Sequence, residues 1–253
     1  MIVLFTDFGP GGPYLGQVRL LLARTAPNEP VIELLSDAPA HNPKSCAYLL
    51  PAYAADLDPG TILLCVVDPG VGGTRAPMVV EADGCWFVGP DNGLFELVLR
   101  RARRSRAWRI VWTPDRLSPL FHGRDIFAPV AGRLARLISG ADDPDAMDMP
   151  AGLMTSTTAT RYDDWPDDLP EVVYIDHFGN AVTGLRASKI PAGVSIIVLG
   201  RNLERVRTFS DAPLGALVWY ENSSGLVEIA ANRGRADRQL GANVGTPVTV
   251  RMP

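Results

Sequence analysis

The sequence predicts an α/β N-terminal domain with a mainly parallel sheet, followed by a small all-β, barrel-like C-terminal domain. Strand and helix patterns alternate through the first half of the 253 residues, which is typical of parallel strands joined by helices. Around residues 140–168 periodicity fades and Asp, Pro, Met, Ser and Thr become frequent, which indicates a linker. Short strand patterns follow without a long helix. We therefore expect domains at residues 1–150 and 169–253, joined by a linker at 151–168.

The elements of the first domain follow from hydrophobic periodicity and from the turn residues between them. The strongest strand pattern is an apolar run between two Asp-Pro-Gly turns, and Asp83-Gly84 predicts a hairpin. We expect strands at residues 2–5, 31–35, 61–67, 78–82 and 86–88. We expect helices at residues 14–26, 43–56, 92–101 and 124–139.

The second domain contains short strand patterns separated by turns. They lie at residues 171–175, 194–199, 217–220, 226–230 and 247–251. We interpret the arginine-rich residues 100–106 in the first domain as a solvated helix end, because the dipole at a helix C-terminus favours cations.

Composition excludes several classes of protein. Twenty-four basic and 28 acidic residues give a formal charge of −4, whereas a nucleic-acid-binding protein typically has a basic excess. No apolar run approaches the roughly 20 residues that span a membrane. No basic region precedes the first apolar residues, so we expect no signal peptide and a cytoplasmic protein.

The cysteines and histidines do not form a metal-binding motif. Cys46, Cys65 and Cys85 lie about twenty residues apart, which matches neither a CxxC pair nor a zinc knuckle. We expect them to be buried apolar thiols. The three histidines form no HExxH motif. We therefore expect no metal and no cofactor.

Three carboxylates closely follow predicted strands: Asp7, Asp68 and Asp91. Ligands of open α/β sheets bind outside the carboxyl ends of the strands, so this pattern favours a common site. Asp is also a frequent turn and N-cap residue, and this structural alternative fits Asp91 well.

Two further features of the first domain are candidates for the same site. In the glycine-rich loop at residues 68–75, Arg75 can fold back to pair with Asp68. The loop lacks both phosphate-binding glycine motifs and precedes a strand, so a nucleotide-phosphate site is disfavoured. His122 precedes a predicted helix, whose dipole favours the neutral imidazole that a general base requires. A structural histidine is the alternative.

The second domain has polar residues in two turns between strands, at residues 176–180 and 222–225. Either turn alone would be interpreted as a loop. Together with the first domain, they complete an ordered set of motifs. The set comprises Thr6-Asp7-Phe8-Gly9, Val67-Asp68-Pro69-Gly70 with Arg75, Pro90-Asp91-Asn92-Gly93, Phe121-His122-Gly123-Arg124-Asp125, Asp176-His177-Phe178-Gly179-Asn180 and the stretch from Ser223 to Asn232.

This ordered set resembles the S-adenosylmethionine hydroxide adenosyltransferases, relatives of the fluorinase and chlorinase, and it covers nearly the whole chain. The resemblance implies an α/β domain, a β-barrel-like domain and a homotrimer in which the substrate lies between one subunit's first domain and its neighbour's second. It also implies that water attacks C5′ of S-adenosylmethionine and releases adenosine and methionine, and it leaves open whether the S or the R sulfonium epimer is preferred.

The resemblance also implies roles for individual residues. Asp68, Arg75 and His122 match the family's catalytic triad. Our hypothesis is that His122 and Asp68 hold and deprotonate the water, while Arg75 fixes Asp68 and stabilises hydroxide character. The remaining matches are substrate contacts: Asp7 to the ribose diol, Asp176 and Ser223 to the methionine end, Asn180 to adenine, and Phe209 as the stacking aromatic.

Two positions distinguish hydrolysis from halogenation. The halogenating relatives replace the triad aspartate and carry a serine where the halide binds, whereas this chain has Asp68 and Gly123. The sequence departs from the family at Gly12, where many relatives have Asp, and at His41, where an aromatic residue commonly packs near the ribose. It has Ala231 where halogenases have Arg. Two alternatives stay open. The first is a protein that binds the adenosyl ligand without turnover, and the second, which the residues favour less, is a halogenase.

Overall fold

The computed structural model describes residues 1–140 and 152–251. The chain divides into two compact units. The first comprises Met1–Leu50 and Asp56–Tyr162, and the second comprises Pro51–Ala55 and Asp163–Pro253. Each unit contains one sheet, in agreement with the predicted two-domain architecture.

The first unit is built on a seven-stranded sheet of order β2-β1-β3-β5-β4-β6-β7. Its strands are β1 Ile2–Thr6, β2 Val31–Leu35, β3 Ile62–Val66, β4 Pro77–Ala82, β5 Cys85–Pro90, β6 Ser105–Ile110 and β7 Met154–Ser156. The helices of the chain's first part are α1 Pro13–Thr25, α2 Pro43–Ala54, α3 Glu96–Arg101 and α4 Ala128–Ser139. Residues of α1 and α4 form a hydrophobic core with one face of the sheet.

The first sheet is mixed, so the prediction of a mainly parallel sheet is wrong. β1 pairs in parallel with β2 and β3, and β3 pairs in parallel with β5. The pairings of β4 with β5 and β6, and of β6 with β7, are antiparallel. The Asp83-Gly84 turn imposes the first antiparallel pair, because both residues have positive φ and reverse the chain within two residues.

The strands β6 and β7 are absent from the sequence-based prediction. The arginine-rich segment divides between the end of α3 and β6. Arg106 lies on β6, where its guanidinium is 5.4 Å from the centre of the Trp108 ring and also pairs with Glu81. Side-chain packing on the sheet thus overrides the helix-end interpretation. β7 adds to β6 within the segment predicted as a linker.

The second unit has a seven-stranded sheet of order β14-β10-β11-β12-β13-β9-β8. Its strands are β8 Leu169–Ile175, β9 Ala181–Arg186, β10 Ser195–Val198, β11 Arg201–Arg205, β12 Leu217–Glu221, β13 Leu226–Ala231 and β14 Val248–Arg251. The two edges meet, because Val172 N–H donates to Thr246 O at 2.8 Å and Glu171 bridges to Pro247. The unit is therefore barrel-like, as predicted.

Among the described residues of the second unit, the prediction omits the strands β9 and β11 and the short α-helix α5 Ala236–Leu240. β11 has one buried residue among five, which leaves little apolar signal for a sequence pattern. Among the described residues, no helix combines the length and the apolar character needed to cross a membrane.

Candidate active site

The carboxyl ends of two neighbouring parallel strands bring Asp7 and Asp68 to one edge of the first sheet. β1 and β3 pair in register, with Thr6 opposite Val66. The backbone N–H of Asp7 donates to Val66 O at 3.3 Å, which extends this pairing by one residue. Because the two carboxylates follow adjacent strand ends, each lies within the electrostatic field of the other.

Asp68 forms a two-pronged ion pair with Arg75. The Nε atom of Arg75 donates to Oδ1 and Oδ2 of Asp68 at 2.9 and 3.0 Å, and Nη2 donates to Oδ2. Their side chains are 4% and 9% exposed, so the charges depend on each other. The fold-back of Arg75 onto Asp68 agrees with the sequence analysis.

The glycine-rich loop makes this fold-back possible. Gly73 N–H donates to Gly70 O at 3.0 Å, which closes a tight turn between the two charged residues. Gly72 has φ of +77°, and a Cβ there would lie 2.5 Å from Pro119 O. The position therefore requires glycine for both backbone conformation and space.

Arg75 also contacts His122. Its Nη2 atom lies 2.8 Å from Nδ1 of His122, and its guanidinium carbon lies 5.3 Å from the centre of the buried Phe127 ring. His122 immediately precedes a π-helical turn, Gly123–Phe127, that leads into α4. The turn and the residue before it therefore supply the aromatic ring and the histidine that contact the guanidinium, and π-helical turns are frequent at functional sites.

The surroundings of His122 favour its neutral form. Burial lowers its pKa, and the adjacent charge of Arg75 lowers the pKa further, against weaker opposing effects of Asp68 and Asp125. A helix dipole would lower the pKa of His122 as well, but burial and the charge of Arg75 are the causes in the structure.

Asp7 lies in a different environment. Burial raises the pKa of its carboxyl, although the backbone N–H of His41 donates to Oδ2 at 2.9 Å and opposes this. His41 has φ of +58°, an uncommon conformation for a residue with a side chain. The departure at His41 thus involves a residue whose backbone holds the candidate ribose-binding carboxylate.

Asp91 follows β5 at the same edge of the sheet, but its carboxylate has structural partners. It accepts hydrogen bonds from the backbone N–H and the hydroxyl of Thr160, at 3.1 and 2.8 Å. Asp91 thus anchors the chain segment that follows β7, which agrees with the structural alternative considered for it. The neighbouring Asn92, which lies in the same motif but has no assigned role, donates through Nδ2 to Val67 O at 2.9 Å and so supports the chain just before Asp68.

In the second unit, Asp176 and Asn180 form one compact turn. The backbone N–H and the side-chain amide of Asn180 donate to the Asp176 carboxylate at 2.8 and 3.0 Å. Gly179, between them, has φ of +85°, and a Cβ there would meet Arg235 and Asp237 at less than 3 Å. The turn thus fixes the two predicted ligand-binding residues relative to each other.

Ser223 and Phe209 are exposed residues of the same unit. Ser223 lies in the turn between β12 and β13, and Phe209 begins a short 3-10 turn after β11. The Phe209 ring lies 6.5 Å from the ring of Tyr220, measured between centroids. Ala231 is buried at the end of β13, and Gly12 is the N-cap of α1, where it supplies no side-chain hydrogen bond.

The sequence analysis missed a polar network next to Ser223. The hydroxyl of Tyr220 donates to Oε1 of the largely buried Glu228 at 2.6 Å, and Asn222 Nδ2 donates to Oε2 at 3.0 Å. Oδ1 of Asn222 accepts from the backbone N–H groups of Ser224 and Leu226, both at 3.0 Å. The sequence signal for this network is Glu228, a single carboxylate within the otherwise apolar strand β13.

The described residues contain no group of three or more His, Cys, Asp or Glu side chains placed to hold a metal ion. All three cysteines are free and buried. The candidate site brings together a carboxylate, a guanidinium and an imidazole.

Comparison with known proteins places this geometry in context. Residues 2–142 match the SAM hydroxide adenosyltransferase N-terminal domain, and residues 170–249 match the corresponding C-terminal domain. An (R)-S-adenosyl-L-methionine hydrolase from Thermus thermophilus is 38% identical, with 98% of each chain covered. A protein of the same name from Salinispora arenicola is 35% identical, with 97% of this chain and 95% of that protein covered.

Solved structures agree with this fold. An uncharacterized conserved protein from Thermotoga maritima has a TM-score of 0.85 at 25% identity, with both chains covered completely. A conserved hypothetical protein from Thermus thermophilus has a TM-score of 0.74 at 35% identity, with 98% of each chain covered. Both domain matches and the near full-length relatives lead to one conclusion: this chain belongs to the SAM hydroxide adenosyltransferase family.

Proposed function

We propose that this protein hydrolyses S-adenosylmethionine to adenosine and L-methionine, with the (R)-sulfonium epimer as its preferred substrate. The observation that carries the proposal is the Asp68–Arg75–His122 network at the strand ends. The relatives named (R)-S-adenosyl-L-methionine hydrolase support both the reaction and the epimer.

The reaction needs a well-placed oxygen nucleophile more than it needs acid catalysis. Water attacks C5′ of the ribose in line with the C–S bond, and a neutral thioether leaves from the sulfonium with the bonding electrons. Alignment of the two reacting groups contributes several kcal/mol, and assistance with the proton contributes about 10²–10⁴-fold in rate. The proposal requires neither a metal nor a cofactor.

The substrate contacts are part of the proposal. Asp7 binds the ribose diol, and its carboxylate is oriented by the hydrogen bond that Oδ2 accepts from the backbone N–H of His41. Asp176 and Ser223 bind the methionine end, Asn180 binds adenine, and Phe209 stacks on the base. Half of the surface of Phe209 is exposed, as a stacking platform requires.

We also propose a homotrimer in the cytoplasm, with each substrate site shared between subunits. The edge strand β2 supports an interface: its Ile32 and Leu34 are 48% and 40% exposed, and Leu20 of α1 is also exposed. Exposed apolar residues on an open sheet edge are typical of a surface that another chain covers.

Two alternatives remain as outcomes of the experiment. A ligand-binding protein without turnover would keep Asp7 and Asn180 but has no need of the triad. A halogenase would need a halide site beside Gly123, where a Cβ would already lie 3.0 Å from Phe8 Cζ and 3.3 Å from Val66 Cγ1. This crowding disfavours halogenation.

The test is chromatography of the products after separate incubation with each epimer, with and without excess chloride. Adenosine and methionine, formed faster from the (R) epimer, are the expected products. Equal or faster turnover of the (S) epimer would contradict the preference, and chlorinated adenosine would identify a halogenase. Calorimetric binding without any product would favour the binding protein.

A further inference from the structure

We propose that His122 acts as a hydrogen-bond donor through Nε2 to the attacking oxygen, and that Asp68 is the group of the triad that accepts the proton. The inference deepens the proposed hydrolysis and rests on it. It assigns His122 a different role from the shared proton acceptance that the sequence suggests.

The partner of Nδ1 determines the tautomer. An arginine side chain has five N–H donors, has no acceptor and does not lose its proton in proteins. Because Nη2 of Arg75 lies 2.8 Å from Nδ1 of His122, Nδ1 must be the acceptor and must lack a proton. The neutral imidazole then carries its single proton on Nε2.

This tautomer leaves no free lone pair on the ring. The lone pair of Nδ1 is directed to Arg75, and Nε2 has a hydrogen instead of a lone pair. Within the described part of the first unit, Nε2 has no hydrogen-bond partner. The ring can therefore donate one hydrogen bond to a ligand oxygen, but it cannot take a proton from that oxygen without losing its contact with Arg75.

The alternative protonation state is disfavoured by the groups that face the ring. A proton on Nδ1 would point at the Arg75 guanidinium, and the imidazolium would place two cations in contact. Asp68 compensates this repulsion between cations only weakly, because both of its oxygens already accept hydrogen bonds from Arg75. Asp125 offsets it weakly as well, since it is engaged by Arg124 and by the backbone N–H of Ser118. Burial and Arg75 lower the pKa of His122, in the same direction.

Asp68 has the remaining acceptor capacity. A carboxylate offers about four lone-pair directions, and Arg75 uses three contacts to it. In the proposed step, the water oxygen forms a bond to C5′, the C5′–S bond breaks, and its electron pair stays on sulfur. The proton of the water passes to Asp68 and then to solvent, which balances water and sulfonium against alcohol, thioether and one proton.

The first experiment measures the tautomer directly. The ¹⁵N chemical shifts of the His122 ring, assigned with a His122→Gln sample, distinguish a protonated nitrogen from one with a free lone pair. We expect Nε2 protonated and Nδ1 bare at neutral pH. A proton on Nδ1 overturns the proposal. Because this readout needs no turnover, it is valid even if the proposed hydrolysis fails.

The second experiment separates donation from proton acceptance. Glutamine can place an amide N–H near the position of Nε2, asparagine can place an acceptor near Nδ1 for Arg75, and neither is a base. We expect kcat of His122→Gln within about tenfold of the wild type, whereas His122→Asn and His122→Ala lose about 10²–10³-fold. An equal loss in all three folded variants overturns the donor role. Absence of product from the wild type would instead reject the proposed function.

Discussion

The Nη2 atom of Arg75 lies 2.8 Å from Nδ1 of His122, although 47 residues separate them along the chain. The same guanidinium holds the Asp68 carboxylate through Nε and Nη2 and packs on Phe127. Arg75 therefore links the Asp68 carboxylate to the His122 imidazole. Because both groups contact Arg75, we expect the loss of any one of the three residues to change the surroundings of the other two.

Replacing Asp68 by Asn should separate catalysis from binding. The amide keeps the shape and one acceptor for Arg75 but removes the negative charge and the proton acceptor. We expect kcat to fall by about 10²–10⁴-fold, while the Kd for the substrate, measured by calorimetry, changes only a few-fold. Asp68→Ala should likewise abolish turnover and leave substrate binding largely intact.

Asp91→Asn is the matched control, because Asp91 also follows a strand at this edge but bonds to Thr160. Its kcat should stay near that of the wild type. Wild-type turnover by Asp68→Asn or Asp68→Ala would exclude the proposed role of Asp68.

Replacing Asp7 by Asn should weaken substrate binding and stabilise the fold at neutral pH. Loss of a charged hydrogen bond, worth about 1.5–3 kcal/mol, predicts a KM higher by about 10- to 150-fold. Burial raises the pKa of Asp7. The folded state therefore retains the Asp7 proton to higher pH than the unfolded state does. Its contribution to stability is greatest at low pH and is lost as pH rises through the raised pKa.

At pH 7 the ionised, partly buried Asp7 thus costs stability, and Asp7→Asn should have a higher Tm. That gain should shrink as pH falls toward the ordinary carboxyl value of 3.8. Asp125→Asn is the control, for which we expect the opposite change in Tm. Burial opposes ionisation of Asp125, but hydrogen bonds from Arg124 and Ser118 N–H lower its pKa. The Asp125→Asn variant should therefore be less stable than the wild type at pH 7. A lower Tm for Asp7→Asn would contradict the argument.

Replacing Gly123 by Ser should destabilise the protein and should not create a halogenase. The new Cβ would lie 3.0 Å from Phe8 Cζ, 3.3 Å from Val66 Cγ1 and 3.4 Å from Phe121 Cε2. Overpacking of this kind costs about 1–3 kcal/mol, which denaturant unfolding measures. Gly152→Ser is a suitable control, since no atom of the described residues lies within 4 Å of its Cβ position. Chlorinated adenosine from Gly123→Ser would show that the pocket accommodates a halide.

Placing charges on the β2 edge should disrupt the proposed trimer. The double variant Ile32→Lys/Leu34→Lys places two cations on the exposed apolar strand, so light scattering should detect smaller species. Activity should fall with assembly, because each site is proposed to need a neighbouring subunit. Leu199→Lys, at an exposed turn of the second unit, is the control and should leave the mass unchanged. A double variant that stays trimeric would place the interface elsewhere.

Sequence patterns predicted the elements whose signal is local. α1, α2 and β1 to β3 lie where apolar periodicity and the Gly/Pro turns place them, within one or two residues at most ends. The motifs around Asp7, Asp68, His122 and Asp176 identified the family because their order along the chain is itself sequence information. Apolar spacing and turn chemistry determine these features without contacts between distant segments.

Only the tertiary structure decided the features that depend on which strands and side chains meet. β6 becomes a strand because it pairs with β4 and β7, and its Arg106 lies against two tryptophans despite an arginine-rich sequence. Asp91 bonds to Thr160, 69 residues away, so its carboxylate is engaged in structure. The contact of Arg75 with His122 likewise joins two residues that are 47 positions apart, so no local pattern contains it. These outcomes arise from packing between segments far apart along the chain, where the balance of burial, charge and hydrogen bonding exists only once the chain has folded.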